Sequence, residues 1–212
     1  MKSQKNIKSM VLLGLMAAVL VILAYTPLGY LNIGPLAITF NTIPVAIAAI
    51  ALGPVGGIVA GGVFGLTSFL QCFGGSVLGT TLFGISPILT VFQCFVPRML
   101  DGLLIGFLSN AMRKHCTSST VNCAVTGFFA AFLNTLFYMS SLILLFGRTD
   151  IILSYRETLA PGKNVFLFVC AFVGINAIAE WVSSTLVTGA VGAALTKAKL
   201  VPAPKAKLVA AE

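Results

Sequence analysis

The sequence predicts an all-α integral membrane protein: six transmembrane helices in a single membrane domain over residues 1–212, with both termini in the cytoplasm. Three observations carry that prediction. Of 212 residues, 58% are apolar and only 8% charged, where a water-soluble globular chain is about a quarter charged. A chain so poor in charge cannot coat a water-facing surface of its size, so its solvent is lipid. The apolar residues fall into six runs, each measured against the roughly 20 residues that a helix needs to cross about 30 Å of hydrocarbon. The formal net charge of +8 is divided unevenly between the two sides that those runs define. The same composition excludes disorder, a coiled coil and a secreted disulfide scaffold.

The spans in order are 8–25, 36–52, 55–70, 85–112, 121–146 and 164–196. The second and third are short and meet at Gly53-Pro54, a turn signal. The sixth is longer than a bilayer requires, so it tilts or part of it projects into water. Lys2, Lys5, Lys8, Arg113, Lys114, Lys197, Lys199, Lys205 and Lys207 all fall on one side of this arrangement. The other side holds Arg148, Arg156 and Lys163, diluted by Asp150 and Glu157. The positive-inside rule assigns the richer side, and with it both termini, to the cytoplasm. The positive excess is therefore topology and calls for no nucleic acid. A basic start before an apolar run also fits a signal peptide, but no A-x-A-like cleavage site follows and its removal would spoil the even topology. Residues 202–212 read as a flexible cytoplasmic tail.

The outer connections 26–35, 72–84 and 147–163 are rich in Gly, Pro, Ser and Thr or carry mixed charge. Connections of this length are either lids over a binding site or plain tethers; Tyr30 and Asn32 in the first are candidate ligand contacts. Cys72, Cys94, Cys116, Cys123 and Cys170 are scattered, with no C-x-x-C and no histidine at ligand spacing. They read as apolar filler rather than as a metal site or structural disulfides.

Helices associate in lipid through small residues that let backbones approach. Gly57, Gly61 and Gly65 form one such stripe in the third span, and Gly189 with Ala193 a shorter one in the sixth. Gly14, Ala17 and Ala18 form another in the first span, which packs inside the protein or docks a separate membrane subunit.

Only three ionisable residues interrupt the spans: Arg98, Asp101 and Glu180. Each costs roughly 2.5–3.5 kcal/mol at the bilayer centre, so each is expected to face a partner or a cavity. Pro97 has no backbone N–H and frees the carbonyl of Gln93 for another donor. The fifth span adds Asn134, Thr135 and Tyr138; the sixth adds Asn176, Glu180 and Ser184 at four-residue steps, with Trp181 beside them. The first three spans carry almost no polar residue at depth. Two readings follow: an internal Arg98–Asp101 or Arg98–Glu180 salt bridge that locks helices, or a ligand cavity. The neutral amides and aromatics around the charges favour the cavity.

Several functions lack their residues. No G-x-x-x-x-G-K-[ST] loop is present for ATP hydrolysis, and no H-E-x-x-H or G-x-S-x-G. His115, the only histidine, falls in a cytoplasmic connection. No internal repeat of the kind found in inverted-repeat transporters is evident. The chain is not expected to be an enzyme or to hold a cofactor, although Asp101 and Glu180 leave a membrane-embedded enzyme formally open.

Pro97-Arg98 in the fourth span, Asn134-Thr135 in the fifth, Asn176 with Glu180 in the sixth, Ile43-Pro44 and the glycines after Gly53-Pro54 follow one another in an order that resembles a known family. The chain is similar, over about residues 8–196, to the substrate-binding (S) components of energy-coupling factor (ECF) vitamin transporters. The resemblance implies a plasma-membrane protein of a prokaryote that binds a vitamin with high affinity through its last three helices and outer loops. It also implies docking through the first three helices on a membrane coupling subunit, here nearest to Gly14 and Ala18, with two cytoplasmic ATPases in trans. The site residues expected on these grounds are Gln93, Arg98, Asn134, Tyr138, Asn176, Glu180, Trp181, Tyr30 and Asn32. Arg98 suits a carboxylate, and the amides and Tyr138 suit amides or hydroxyls, which favours pantothenate. Folate is the rival, since Trp181 and the tyrosines would stack a pterin; biotin also carries a carboxylate. A stand-alone channel or facilitator for a small anionic solute, and a membrane scaffold, are the readings from other classes.

Overall fold

A computed structural model describes residues 2–26, 30–32, 37–115, 118–159 and 165–201. The elements are α1 (Lys2–Tyr25), β1 (Tyr30–Asn32), β2 (Ala37–Thr39), α2 (Thr42–Gln71), α3 (Val77–Ile85), α4 (Pro87–His115), α5 (Ser119–Phe146), α6 (Asp150–Leu159) and α7 (Val165–Lys197). Among the described residues, five helices hold stretches long and apolar enough to cross a membrane: Ile7–Tyr25, Thr42–Gln71, Pro87–His115, Ser119–Phe146 and Asn176–Lys197. The chain is thus a helical membrane bundle, and its only described strands form one short antiparallel ribbon, β1 on β2. The tail 202–212 lies outside the described residues.

The predicted second and third spans are one element, α2, with a break inside it. Gly53 takes φ 70° and ψ −155°, which only glycine enters readily. Pro54 bars its predecessor from the helical region, so the break falls there. Past it the chain folds back on itself. Residues 48 and 56 of a straight helix would stand about 12 Å apart, yet a Cβ added to Gly56 would meet the carbonyl oxygen of Ala48 at 2.6 Å. Val45 and Ala48 from the first arm share one apolar cluster with Ala60 and Phe64 from the second. The helical start is later than the predicted 36. Ile38 and Thr39 are β-branched and lie in β2, and Pro44, which is tolerated only in a first turn, fixes the helix to begin at Thr42.

The glycine stripe packs inside the protein. Cβ atoms on Gly57 and Gly61 would run into the backbone of Gly102 and Arg98, and one on Gly65 would meet the Cys94 carbonyl oxygen at 2.9 Å. The second arm of α2 therefore lies antiparallel against α4 with backbones in contact. Between α5 and α7, Gly127 lies against the Ser184 carbonyl, and Gly189 and Gly192 lie close against Ala124 and the Cys123 side chain. On α1, the buried residues Leu12, Met16, Leu20 and Ala24 recur every four positions and face α2.

Two predicted loops are partly helical. Residues 72–84 contain most of α3, started by Ser76, whose hydroxyl accepts from the Gly79 N–H at 3.2 Å. Residues 147–163 contain α6. Leu78 and Leu82 of α3 and Ile152 of α6 are buried in one cluster with Met139, Leu142, Phe146, Phe168 and Phe172. These short helices cover the bundle at one end. The predicted sixth span is α7, broken at Gly174 (φ 41°). Phe168 and Phe172 before that break belong to the covering cluster, which accounts for the length in excess of a membrane crossing.

Candidate functional site

A cavity of about 330 Å³ opens beneath the covering helices, between α2, α4, α5 and α7. Six of the nine residues expected from sequence line it: Gln93, Arg98, Asn134, Tyr138, Asn176 and Glu180. Helical periodicity explains the convergence. On α4, Thr90, Gln93, Cys94, Pro97, Arg98 and Asp101 are all buried, at the three- and four-residue steps of a single face. Asn134 and Tyr138 do the same on α5, and Asn176 and Glu180 on α7.

Arg98 occupies the centre. Its Nη1 donates to the carbonyl of Gln93 at 3.2 Å, the acceptor that Pro97 frees, and to that of Cys94 at 3.1 Å. The guanidinium carbon lies 4.6 Å from the ring centroid of Phe64 and 5.1 Å from that of Tyr138, a cation held between two π-faces. Among the described residues, neither Asp101 nor Glu180 forms an ion pair with it. The salt-bridge lock weighed from the sequence is therefore not formed. Asp101 is buried outside the lining, and its Oδ1 is without a hydrogen-bond partner among the described residues.

Glu180 is used differently. Its Oε1 accepts the backbone N–H of Thr39 at 2.6 Å, tying the ribbon to α7 at the cavity wall. Gln93 donates through Nε2 to the Tyr138 carbonyl at 2.9 Å, while its Oε1 has no hydrogen-bond partner among the described residues. Asn134 Oδ1 and Arg98 Nε are likewise buried without a hydrogen-bond partner among the described residues. The wall thus offers a cation and free amide oxygens together, a set that matches a ligand with an anionic end and hydroxyl or amide donors.

Trp181 is a correction to the expected set. It lies outside the lining, with its ring edge-on to Phe128 and Phe132 at centroid distances of 5.9 and 5.5 Å. One residue beyond Glu180 is a rotation of about 100° around the helix, enough to leave the cavity face. Ser184 extends the Asn176–Glu180 stripe but donates to the Gly127 carbonyl at 2.8 Å, as a helix-to-helix bond. Tyr30 and Asn32 pair through β1 with Thr39 and Ala37 of β2; their side chains lie outside the described residues.

Sequence reasoning missed Thr39, Phe64, Ser68, Gln71, Ser76 and Thr90 in the wall. Thr90 was legible, since it lies three residues before Gln93 on the same face. Gln71 was masked by its position at the end of α2, where Nε2 donates to the Ala24 carbonyl at 2.6 Å and fastens α1. The two thiols Cys72 and Cys94 also line the cavity, with sulfurs 4.0 Å apart. Scattered in sequence, they meet because the glycine seam brings α2 onto α4.

A buried, ligand-sized and unevenly polar cavity within a helical membrane bundle defines a membrane protein that binds a small polar solute. The family is narrower: residues 8–192 match the family described as "ECF transporter, substrate-specific component", and this chain belongs to it. The chain is also 32% identical over 176 residues, 80% of each chain, to a protein of Leuconostoc mesenteroides subsp. mesenteroides named "Pantothenate transporter PanT".

Proposed function

We propose that this protein captures pantothenate at the outer face of a prokaryotic plasma membrane, as the substrate-binding subunit of an ATP-driven importer. The observation that carries the reading is Arg98, a buried cation in the cavity wall with no carboxylate paired to it among the described residues. Arg98 receives the vitamin's carboxylate, and Gln93, Asn134, Asn176 and Tyr138 read its amide and hydroxyl groups. Glu180 positions the ribbon rather than the ligand. Trp181, one of the rings on which a pterin was expected to stack, packs on Phe128 and Phe132 instead, which weakens the case for folate. The name of the L. mesenteroides relative supports the same vitamin.

The wider assembly belongs to this proposal. The two arms of α2 count as separate crossings, so that six spans return both termini to the cytoplasm. A membrane coupling subunit docks at Gly14, Ala17 and Ala18 on α1, and two cytoplasmic ATPases supply the energy. Gly14 and Ala18 are exposed, on the side of α1 turned away from its buried stripe, which supports an outward contact. Mass spectrometry of small molecules retained by the detergent-purified protein, followed by titration calorimetry of the stripped protein, tests the ligand. Tight pantothenate binding is expected. Failure to bind it, together with retention of folate or biotin, replaces the assignment.

A further inference from the structure

The mechanism above leaves two reactive groups in the cavity wall unused. Cys72 and Cys94 are both free and both buried, and their sulfurs are in thiol–thiol contact at 4.0 Å. Each lines the cavity, so a small reagent that enters by the ligand's route reaches both. We propose that this pair is a redox modification site: a hydroperoxide entering the cavity converts the dithiol to a Cys72–Cys94 disulfide, which pins the α2–α3 corner to α4. The thiols meet whichever vitamin the cavity takes.

Geometry permits closure from one side. Cys94 is fixed, since its carbonyl abuts Gly65 across the seam and accepts from Arg98. Cys72 caps α2 at the entry to a turn through Gly74 (φ 130°) and Gly75, and neither Gly74 nor the residue after it continues the helix. A shift there of about 2 Å brings the sulfurs from contact to the bond length of about 2.0 Å. The chemistry balances with the peroxide as the oxidant. One sulfur, as thiolate, attacks a peroxide oxygen, breaks the O–O bond and becomes a sulfenic acid, with release of water from hydrogen peroxide. The second sulfur then displaces the hydroxyl from the sulfenic sulfur, and its proton leaves with that hydroxyl as a second water. The two thiols together lose two protons and two electrons, which reduce the peroxide to two waters. The turn held by the new bond includes Gly75 and Ser76, which themselves line the cavity, so oxidation stiffens the wall that a ligand must pass.

The test uses the full chain in detergent or lipid, with no vitamin added. After treatment with hydrogen peroxide, blocking of remaining thiols and digestion without reductant, mass spectrometry is expected to find one peptide pair joined through Cys72 and Cys94. Its mass falls by two hydrogens relative to the separate peptides, and dithiothreitol releases it. Cys94→Ser must lack the joined pair. A wild-type sample in which both cysteines become alkylated or separately oxidised, but never joined, overturns the proposal. A bridge from either cysteine to Cys123 or Cys170 overturns it as well. Because the bridge forms or fails without a ligand, this result is separate from that of the pantothenate titration.

Discussion

Arg98 concentrates the site's chemistry in one side chain. A guanidinium buried in a membrane bundle is costly unless something offsets its lost hydration. Here that role falls to two backbone carbonyls and two aromatic rings. Those partners retain the cation without neutralising it, so its charge is still available to an anion. Arg98→Ala is therefore expected to raise the Kd for pantothenate by roughly 30-fold to several thousand-fold, the equivalent of about 2–5 kcal/mol for truncating one partner of a buried charge pair. Arg98→Lys keeps the charge but loses the planar fork and the ring stacking, and falls between the two. Calorimetry gives the affinities, and size-exclusion profiles in detergent report folding. Loss of folding in parallel with loss of binding would return Arg98 to a structural role. The residue was legible in the sequence because an isolated charge in a lipid-soluble run has few bland explanations. Trp181 was misread for the opposite reason: its neighbour Glu180 faces the cavity, and adjacency along a helix is not a shared face.

At the scale of elements, glycine spacing decides how close α2 and α4 come. Gly57, Gly61 and Gly65 were visible as a stripe, and the structure supplies the opposing surface: the backbone of Gly102, Arg98 and Cys94. The contrast between a stripe position and its neighbour off the seam is testable. Gly61→Ala places a methyl group against the Arg98 and Met99 backbone, which cannot move aside as a side chain does. It is expected to destabilise the protein by about 1–3 kcal/mol, as overpacking does. Gly62→Ala, one position on, meets nothing within 4 Å. It is expected to be neutral or to gain up to about 1 kcal/mol from lower chain entropy. Thermal unfolding in detergent separates the two, and equal midpoints would remove the seam as a source of stability. What the sequence hid at this scale were α3, α6 and the ribbon. The Gly, Ser and Thr around α3 and the mixed charge around α6 read as loop, and the burial of Leu78, Leu82 and Ile152 comes from distant partners such as Phe146, Phe168 and Phe172. β2 was hidden because Ala37–Thr39 continue the apolar run of the predicted second span. Gly53-Pro54 was legible as a turn, because both residues carry their conformational preference within themselves.

The whole molecule divides into an α1–α2 part without charge at depth and an α4–α5–α7 part that carries Arg98, Glu180 and most of the polar wall. The packing of Leu12, Met16 and Leu20 on α2 and the Gln71–Ala24 bond fix α1 in place without giving it a share of the cavity: no α1 residue lines it among those described. With the coupling subunit on α1 as proposed, binding and coupling are separable in space. On α1 the stripe Leu12–Met16–Leu20–Ala24 is spent on α2, while Met10, Val11, Leu15 and Ile22 are 55–72% exposed alongside the small residues Gly14 and Ala18. Large apolar side chains with small gaps between them suit helix-on-helix contact in lipid, where close backbone approach supplies the attraction. Ala18→Leu fills one gap at a position that touches neither the cavity nor the buried stripe. The expected result is unchanged pantothenate affinity in the purified protein and loss of uptake in cells that carry the coupling subunit and ATPases. Normal uptake with Leu at this position would move the docking surface off this face of α1, whereas loss of binding as well would show that α1 is not independent of the site.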